Sequence, residues 1–158
     1  MARAYIGLGA NLGDLAATLR AAVAALAAVP QTRLEAVSSA WCSAPVDAGG
    51  PDYLNAVVRL NTALAPEPLL DALQAIELAH GRERPFVNAP RTLDLDLLLY
   101  DDLVMQTARL TLPHPRLQER AFVLHPLLEV APERADLAAC LPAVADQRLE
   151  KTEEDLHP

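Results

Sequence analysis

The stretch Leu93-Asp94-Leu95-Asp96-Leu97-Leu98-Leu99-Tyr100 is the clearest β-strand in this sequence. Successive side chains of a strand point to opposite faces, so Asp94 and Asp96 are predicted to share one face, about 7 Å apart at Cα. The opposite face is predicted to carry Leu93, Leu95, Leu97 and Leu99. This strand should therefore bury its leucines against helices and present a pair of acidic side chains on its other side.

The aspartate pair indicates a cation site. Two carboxylates this close repel each other unless a positive charge lies between them. Mg²⁺ suits them because it is a hard cation that binds one or two carboxylates together with phosphate oxygens. The alternative is a strand with a solvated polar face. Aspartate is a poor strand former, however, so we favour the metal interpretation.

Arginines cluster on both sides of this strand. Only Lys151 of the 13 Lys and Arg residues is a lysine, and six arginines lie between positions 82 and 120. Guanidinium groups match phosphate oxygens in geometry, and phosphoryl-type transfer depends mainly on positioning and charge neutralisation. A set of solvated surface arginines is the other interpretation. Together with the aspartates, the cluster predicts a site for a metal-bound polyphosphate, although no P-loop motif is present.

The elements around this strand predict the fold. Asp14 is a candidate N-cap for a helix that ends before Pro30, and Pro66 suits the first turn of a second helix that stops at Gly81. The remaining predicted elements are strands at 4–8, 33–41 and 53–62 and a helix at 122–130. Their order predicts an α+β, ferredoxin-like split βαβ fold, with a mostly antiparallel sheet, helices packed on one face, and extra C-terminal strands and a helix.

Length and charge limit the organisation and the partners. We predict a single domain over residues 1–149 and an acidic, flexible tail over residues 150–158. The net charge of −8 is a poor match for a nucleic-acid backbone. The apolar runs are too short to cross a bilayer, and no leader pattern is present at the N-terminus. We therefore expect a cytoplasmic monomer that acts on small molecules, with no nucleic-acid or membrane partner.

Several motifs occur together and in a specific order. They are Tyr5-Ile6-Gly7-Leu8-Gly9-Ala10-Asn11-Leu12-Gly13, Pro51-Asp52-Tyr53-Leu54-Asn55, Ile76-Glu77 with Gly81-Arg82, Pro90-Arg91-Thr92-Leu93-Asp94-Leu95-Asp96, and Arg109-Leu110 through Pro113-His114. Over roughly residues 4 to 132, the chain resembles the 6-hydroxymethyl-7,8-dihydropterin pyrophosphokinase family of folate biosynthesis. The resemblance implies transfer of pyrophosphate from ATP to the pterin hydroxymethyl group, which gives AMP and the pterin diphosphate.

The resemblance also implies residue roles. Asp94 and Asp96 would hold two Mg²⁺ ions, and the catalytic set would be Arg82, Arg91, Asp94 and Asp96. The ATP site would be lined by Gln74, Glu77, Arg84, Arg91, Leu97, Arg109, Thr111, His114 and Arg120. The pterin would be surrounded by Ser43, Ala44, Val46, Tyr53, Asn55 and Phe122, with Asn55 hydrogen-bonding the ring and Phe122 stacking on it.

The sequence departs from the common family pattern in the arginine loop, where Asn88-Ala89 stands in place of an aromatic residue and a glycine. Ser43 also replaces a frequent threonine. Two other classes of protein fit this fold: a metal–nucleotide sensor without transferase activity, and a single-stranded RNA binder. The aspartate pair beside Arg82 and Arg91 argues against a pure sensor. The charge of −8 and the 4% of aromatic residues argue against an RNA binder.

Overall fold

The computed structural model of the protein describes residues 1–44, 51–80 and 93–158. Its strands are β1 (Ala2–Ala10), β2 (Thr32–Val37), β3 (Trp41–Ser43), β4 (Tyr53–Thr62), β5 (Asp94–Tyr100), β6 (Met105–Gln106), β7 (Thr111–Leu112) and β8 (Leu149–Lys151). Its α-helices are α1 (Leu15–Ala27), α2 (Pro66–Ala79), α3 (Ala121–Val130) and α4 (Ala135–Ala138). Single 3-10 turns occur at Leu117–Glu119 and Leu141–Val144.

The main sheet has the strand order β5-β1-β4-β3-β8, and β2 also pairs with β4. All of these pairings are antiparallel. Strands β6 and β7 form a separate two-stranded ribbon. The arrangement confirms the predicted α+β, ferredoxin-like class. Within the described residues, no helix is both long enough and apolar enough to cross a membrane.

The two long N-terminal helices begin where the sequence predicts. The Asp14 carboxylate accepts a hydrogen bond from the Ala17 N–H at 3.1 Å and so caps α1. Gly13 precedes it with φ of 76°, a left-handed conformation that glycine adopts without strain. Pro66 opens α2, where its missing N–H has no intrahelical acceptor. Both N-terminal predictions are confirmed.

Helices cover both faces of the sheet. The main core lies under α1 and α2, where Leu26 and Leu73 pack with Ile6 and Leu60. A second core lies under α3 and α4 and includes Leu124. The prediction that helices share one face therefore holds for α1 and α2 only. The central strands are apolar on both faces, and each face needs its own cover to exclude water.

A β-bulge in β5 changes the predicted facing of its leucines. Ile6 of β1 lies opposite Leu97, but the next residue, Tyr5, lies opposite Leu99. Leu98 is the extra residue, and both Leu98 and Leu99 join the second core. The prediction that Leu99 faces the same side as Leu97 is thus wrong. Strict alternation holds only up to the bulge.

The predicted strand from Arg33 to Trp41 is divided into β2 and β3. At Ser38, between the two strands, a side-chain hydrogen bond takes the place of one backbone bond to β4. Its N–H donates to the Val57 carbonyl, and its hydroxyl accepts from the Val57 N–H, both at 2.9 Å. The serine satisfies both backbone groups of Val57 and lets the chain bend without leaving polar atoms unsatisfied.

The C-terminal residues for which we predicted a flexible tail are packed against the domain. Strand β8 pairs with β3, and Leu156 is 1% exposed within the main core. The Arg20 guanidinium donates to the Asp155 carbonyl at 2.7 Å and to the Glu154 carboxylate at 2.8 Å. One buried leucine near the chain end fixes a segment whose composition alone suggests solvation.

Candidate active site

A cavity of about 370 Å³ lies on the α3 side of the sheet. Strands β1, β4 and β5 form its floor, and Arg120, Phe122 and Val123 at the start of α3 form one wall. Concave sites of about 300–1,000 Å³ are typical of small-ligand pockets. The cavity therefore suits a small organic molecule.

Two rows of directly opposite residues cross the floor. They are Asp94, Gly9 and Asn55 in one row, and Asp96, Gly7 and Val57 in the other. Directly opposite residues of antiparallel strands point to the same face, and all six line the cavity. Each row spans three strands, or about 10 Å at the usual strand spacing. A ligand that lies along a row would reach from the amide of Asn55 to the carboxylates of β5.

Glycines keep this floor open. A methyl group on Gly9 would lie 3.6 Å from Asn55 Oδ1, and one on Gly7 would lie 3.4 Å from a Leu98 methyl. Any larger side chain at these positions would occupy cavity volume. Sequence reasoning did not predict Gly7 and Gly9 as site residues. Their spacing of two residues in a strand places both on one face, and that signal could have identified them.

Asp94 and Asp96 both line the cavity, as their alternation along β5 requires. The backbone N–H of Leu95, between them, donates to Glu77 Oε2 at 2.9 Å. Glu77 is buried, so this bond ties α2 to the strand at the acidic pair. No group of three or more His, Cys, Asp or Glu side chains able to hold a metal occurs in the described ranges. Two carboxylates suit a Mg²⁺ ion that completes its coordination with phosphate oxygens and water.

The Asn55 end of the row Asp94–Gly9–Asn55 presents a hydrogen-bond acceptor. The Asn55 amide nitrogen donates to the Trp41 carbonyl at 3.1 Å and to the Ser43 hydroxyl at 2.8 Å. Both amide hydrogens therefore bond within the protein. The side-chain oxygen, Oδ1, lies beside Gly9 at the cavity. A ligand here must supply an N–H or O–H donor.

Aromatic and cationic side chains complete the cavity walls. Tyr53 and Phe122 both line it, as does Ala44. The Arg120 guanidinium lies 5.4 Å from the centre of the Phe122 ring, a cation–π distance. The structure thus brings together the described members of the predicted pterin set with Asp94, Asp96 and Arg120.

The other described members of the predicted ATP set do not line this cavity; two of them bond to the backbone of β5. Glu77 binds Leu95, and the His114 N–H donates to the Leu98 carbonyl at 2.9 Å. Arg109 contacts the Asp71 carboxylate and donates to Gln74 Oε1 at 3.1 Å. Thr111 lies in β7, half-buried. Leu97 is buried in the main core, so only its backbone could meet a ligand.

Burial and one hydrogen bond favour a particular neutral form of His114. Burial lowers the pKa of its imidazole below the ordinary value; the Asp96 carboxylate opposes this effect, and Arg120 and Arg116 add to it. Its Nδ1 accepts a hydrogen bond from the Arg116 N–H at 3.2 Å, which places the ring proton on Nε2. The imidazole near Asp96 is therefore a hydrogen-bond donor through Nε2.

Val46, Arg82, Arg84 and Arg91 lie outside the described residues. The roles predicted for them from the sequence stay predictions. Asn88 and Ala89 lie outside the described residues as well.

The fold and the cavity define an α+β domain with a small-ligand site on one face of a split βαβ sheet. The profile of the 7,8-dihydro-6-hydroxymethylpterin-pyrophosphokinase family matches residues 5–132. The chain belongs to this family.

Relatives in several bacteria cover most of the chain. A 2-amino-4-hydroxy-6-hydroxymethyldihydropteridine pyrophosphokinase of Pseudomonas aeruginosa is 48% identical over 132 residues, which are 83% of this chain and 82% of that protein. The protein of the same name from Pseudomonas putida is 53% identical over 112 residues, 71% of this chain and 93% of the relative. The one from Haemophilus influenzae is 45% identical over 132 residues, 83% of this chain and 82% of the relative.

Proposed function

We propose that this protein transfers the pyrophosphate group of ATP to the hydroxymethyl group of 6-hydroxymethyl-7,8-dihydropterin, giving AMP and the pterin diphosphate of folate biosynthesis. The observation that carries the proposal is the row Asp94–Gly9–Asn55, which joins an acidic pair and a fixed amide acceptor across one cavity. Membership of the pyrophosphokinase family supports the same activity.

The amide end of the cavity suits a pterin. The pterin ring carries N–H donors on its pyrimidine portion, and Asn55 Oδ1 is positioned to accept from one of them. Tyr53 and Phe122 supply aromatic surfaces for a flat heterocycle. With the ring bound at Asn55, the hydroxymethyl group at the opposite end of the pterin is directed along the row toward Asp94 and Asp96.

The acidic end suits the polyphosphate of ATP. We propose that Asp94 and Asp96 hold Mg²⁺, because two neighbouring carboxylates at the cavity suit ions that are shared with phosphate oxygens. The family resemblance implies two ions. When bound, the metal neutralises phosphate charge and polarises the attacked phosphorus centre. Gln74, Arg109, Thr111 and His114 would bind the nucleotide beside β5, with His114 donating through Nε2. Arg82, Arg84 and Arg91 are proposed to bind the phosphates.

In the transfer, the pterin hydroxymethyl oxygen forms a bond to the β-phosphorus of ATP. The bond from that phosphorus to the α–β bridging oxygen breaks, and this oxygen leaves with AMP. The hydroxyl proton is released; Asp96, which lines the cavity, is one proposed acceptor, and polarisation of the hydroxyl by the metal is the alternative. The chain's own contribution is to align the two substrates and to position the charged groups that bind the triphosphate of ATP.

The test is pterin-dependent release of AMP. Purified protein is incubated with ATP, MgCl₂ and the reduced pterin alcohol, and AMP and the pterin diphosphate are quantified by chromatography. We expect one AMP per pterin diphosphate and no AMP when either the pterin or Mg²⁺ is omitted. Tight nucleotide binding without AMP would support a sensor instead. The monomeric state and cytoplasmic location predicted from the sequence are part of the same proposal, and light scattering tests the former.

A further inference from the structure

The residues that follow the family match contact the wall of the cavity. Gln147 lies between the 3-10 turn at Leu141–Val144 and β8. Its side-chain oxygen accepts from the Ala121 N–H at 2.8 Å, and its side-chain nitrogen donates to the Glu119 carbonyl at 2.8 Å. One amide therefore binds the backbone on both sides of Arg120.

The segment it holds forms part of the candidate site. Arg120 and Phe122 line the cavity and contact each other through a cation–π interaction. Arg120 is also the N-cap residue of α3, yet no side chain at that position caps the helix. Gln147 supplies the missing acceptor from a distant part of the chain, satisfying one of the N–H groups that a helix leaves open at its start.

Gln147 is itself fixed from both directions. Val144 before it is buried in the second core, and its carbonyl accepts the Gln147 N–H at 3.0 Å. Leu149 after it pairs with Ser43 of β3, which also lines the cavity and binds Asn55. The segment 144–149 thus contacts two parts of the cavity lining, the residues around Arg120 and Ser43 of β3.

We propose that Gln147 is a positioning residue for pterin binding, holding the Arg120–Phe122 wall in its ligand-ready conformation. This inference rests on the proposed function. Without these two hydrogen bonds, the residues from Glu119 to Phe122 populate other conformations. The apparent affinity for the pterin is then the intrinsic affinity multiplied by the fraction of molecules in the binding-competent conformation. The proposed nucleotide contacts of Gln74 and Arg109 lie on other elements, so pterin affinity should fall more than ATP affinity, although Arg120 of the predicted ATP set lies on this wall.

The test compares Gln147→Met, Gln147→Glu and the neighbouring Asp146→Asn in steady-state assays of pterin-dependent AMP release. Methionine keeps the length of the side chain and removes both hydrogen bonds. We expect the pterin KM of Gln147→Met to rise roughly tenfold, equivalent to about 1.4 kcal/mol. Its kcat should stay within about twofold, and its ATP KM should rise less than its pterin KM, since Arg120 is the one described member of the predicted ATP set on this wall.

The conservative variant separates positioning from general stability. Gln147→Glu retains the acceptor for Ala121 near the positive end of α3 but loses the donor to Glu119, so its pterin KM should lie between those of wild type and Gln147→Met. Asp146→Asn changes an exposed neighbour and should match wild type. Thermal midpoints are recorded for all variants, and assays are run well below them.

An unchanged pterin KM in both Gln147 variants, whatever their thermal midpoints, would overturn the inference and leave the proposed function intact. Equal losses of pterin KM, ATP KM and kcat would also overturn it, because they indicate general damage. Absence of pterin-dependent AMP release by wild type would instead reject the proposed function, and the inference with it.

Discussion

The two faces of the sheet are made from the same strands but differ in what they carry. Toward α1 and α2, residues such as Ile6 and Leu60 are fully buried and pack against leucines. Toward α3, the neighbouring positions in the strands include Gly7, Gly9 and Asn55, and they leave a cavity. The first face stabilises the domain, and the second leaves space for the ligand that we propose binds there. Substitutions on the two faces should therefore affect different measurements.

The largest expected effect is loss of turnover in Asp96→Asn on the cavity face. Removing one carboxylate of the pair should lower kcat roughly 1,000-fold, as expected for loss of a key electrostatic group. Thermal stability should change little because the side chain lies at the cavity and outside both cores. Asp102→Asn, just beyond the same strand, is the matched control. Near-normal kcat in Asp96→Asn would contradict the metal assignment.

Leu26→Ala should show the opposite pattern on the packed face. Leu26 is 0% exposed, and truncation should lower the free energy of unfolding by about 3 kcal/mol through lost burial and a cavity. Substrate KM values measured below the unfolding transition should match wild type. Leu103→Ala is the control, since that leucine is 41% exposed and should cost little. Denaturant unfolding measures both. A large shift in pterin KM for Leu26→Ala would mean that the faces are coupled.

Gly9→Ala tests whether the open floor serves the ligand. The new methyl makes ordinary contacts, so the thermal midpoint should be unchanged or slightly raised. The pterin KM should rise about tenfold because the methyl occupies the space between Asn55 and Asp94. Calorimetric titration with the pterin checks the same effect at equilibrium. Wild-type affinity in this variant would show that the pterin does not lie along the row.

Ser43→Ala should have the smallest effect. It removes one of the two bonds that orient the Asn55 amide, and we expect about a fivefold rise in pterin KM with kcat retained. Ser43→Thr keeps the hydroxyl and should behave as wild type. Equal effects of alanine and threonine would indicate a packing role for residue 43 and no role in orienting the amide.

Local patterns in the sequence predicted the individual strands and helix starts well. Alternation identified β5 and placed Asp94 and Asp96 on one face, and Asp14 and Pro66 marked the helix starts. These features depend on residues close together in the chain. The second core was missed because the apolar content of a strand does not say how many helices will cover it.

The remaining features depend on partners distant in sequence. The bulge at Leu98 exists only relative to β1, and the rows through Gly7 and Gly9 exist only once three strands are in register. The bonds of Gln147 to Glu119 and Ala121 join residues 26 to 28 positions apart. No local periodicity encodes such pairings.

The pairing of β8 with β3 has a consequence for how copies of the protein behave toward one another. Trp41–Ser43 would otherwise offer open backbone donors and acceptors at a strand edge, the kind of surface on which other chains add as extra strands. Proteolytic trimming before residue 149 would uncover that edge and also withdraw Leu156 from the core. The clipped protein should then be prone to self-association along the longer edge that β3 would expose.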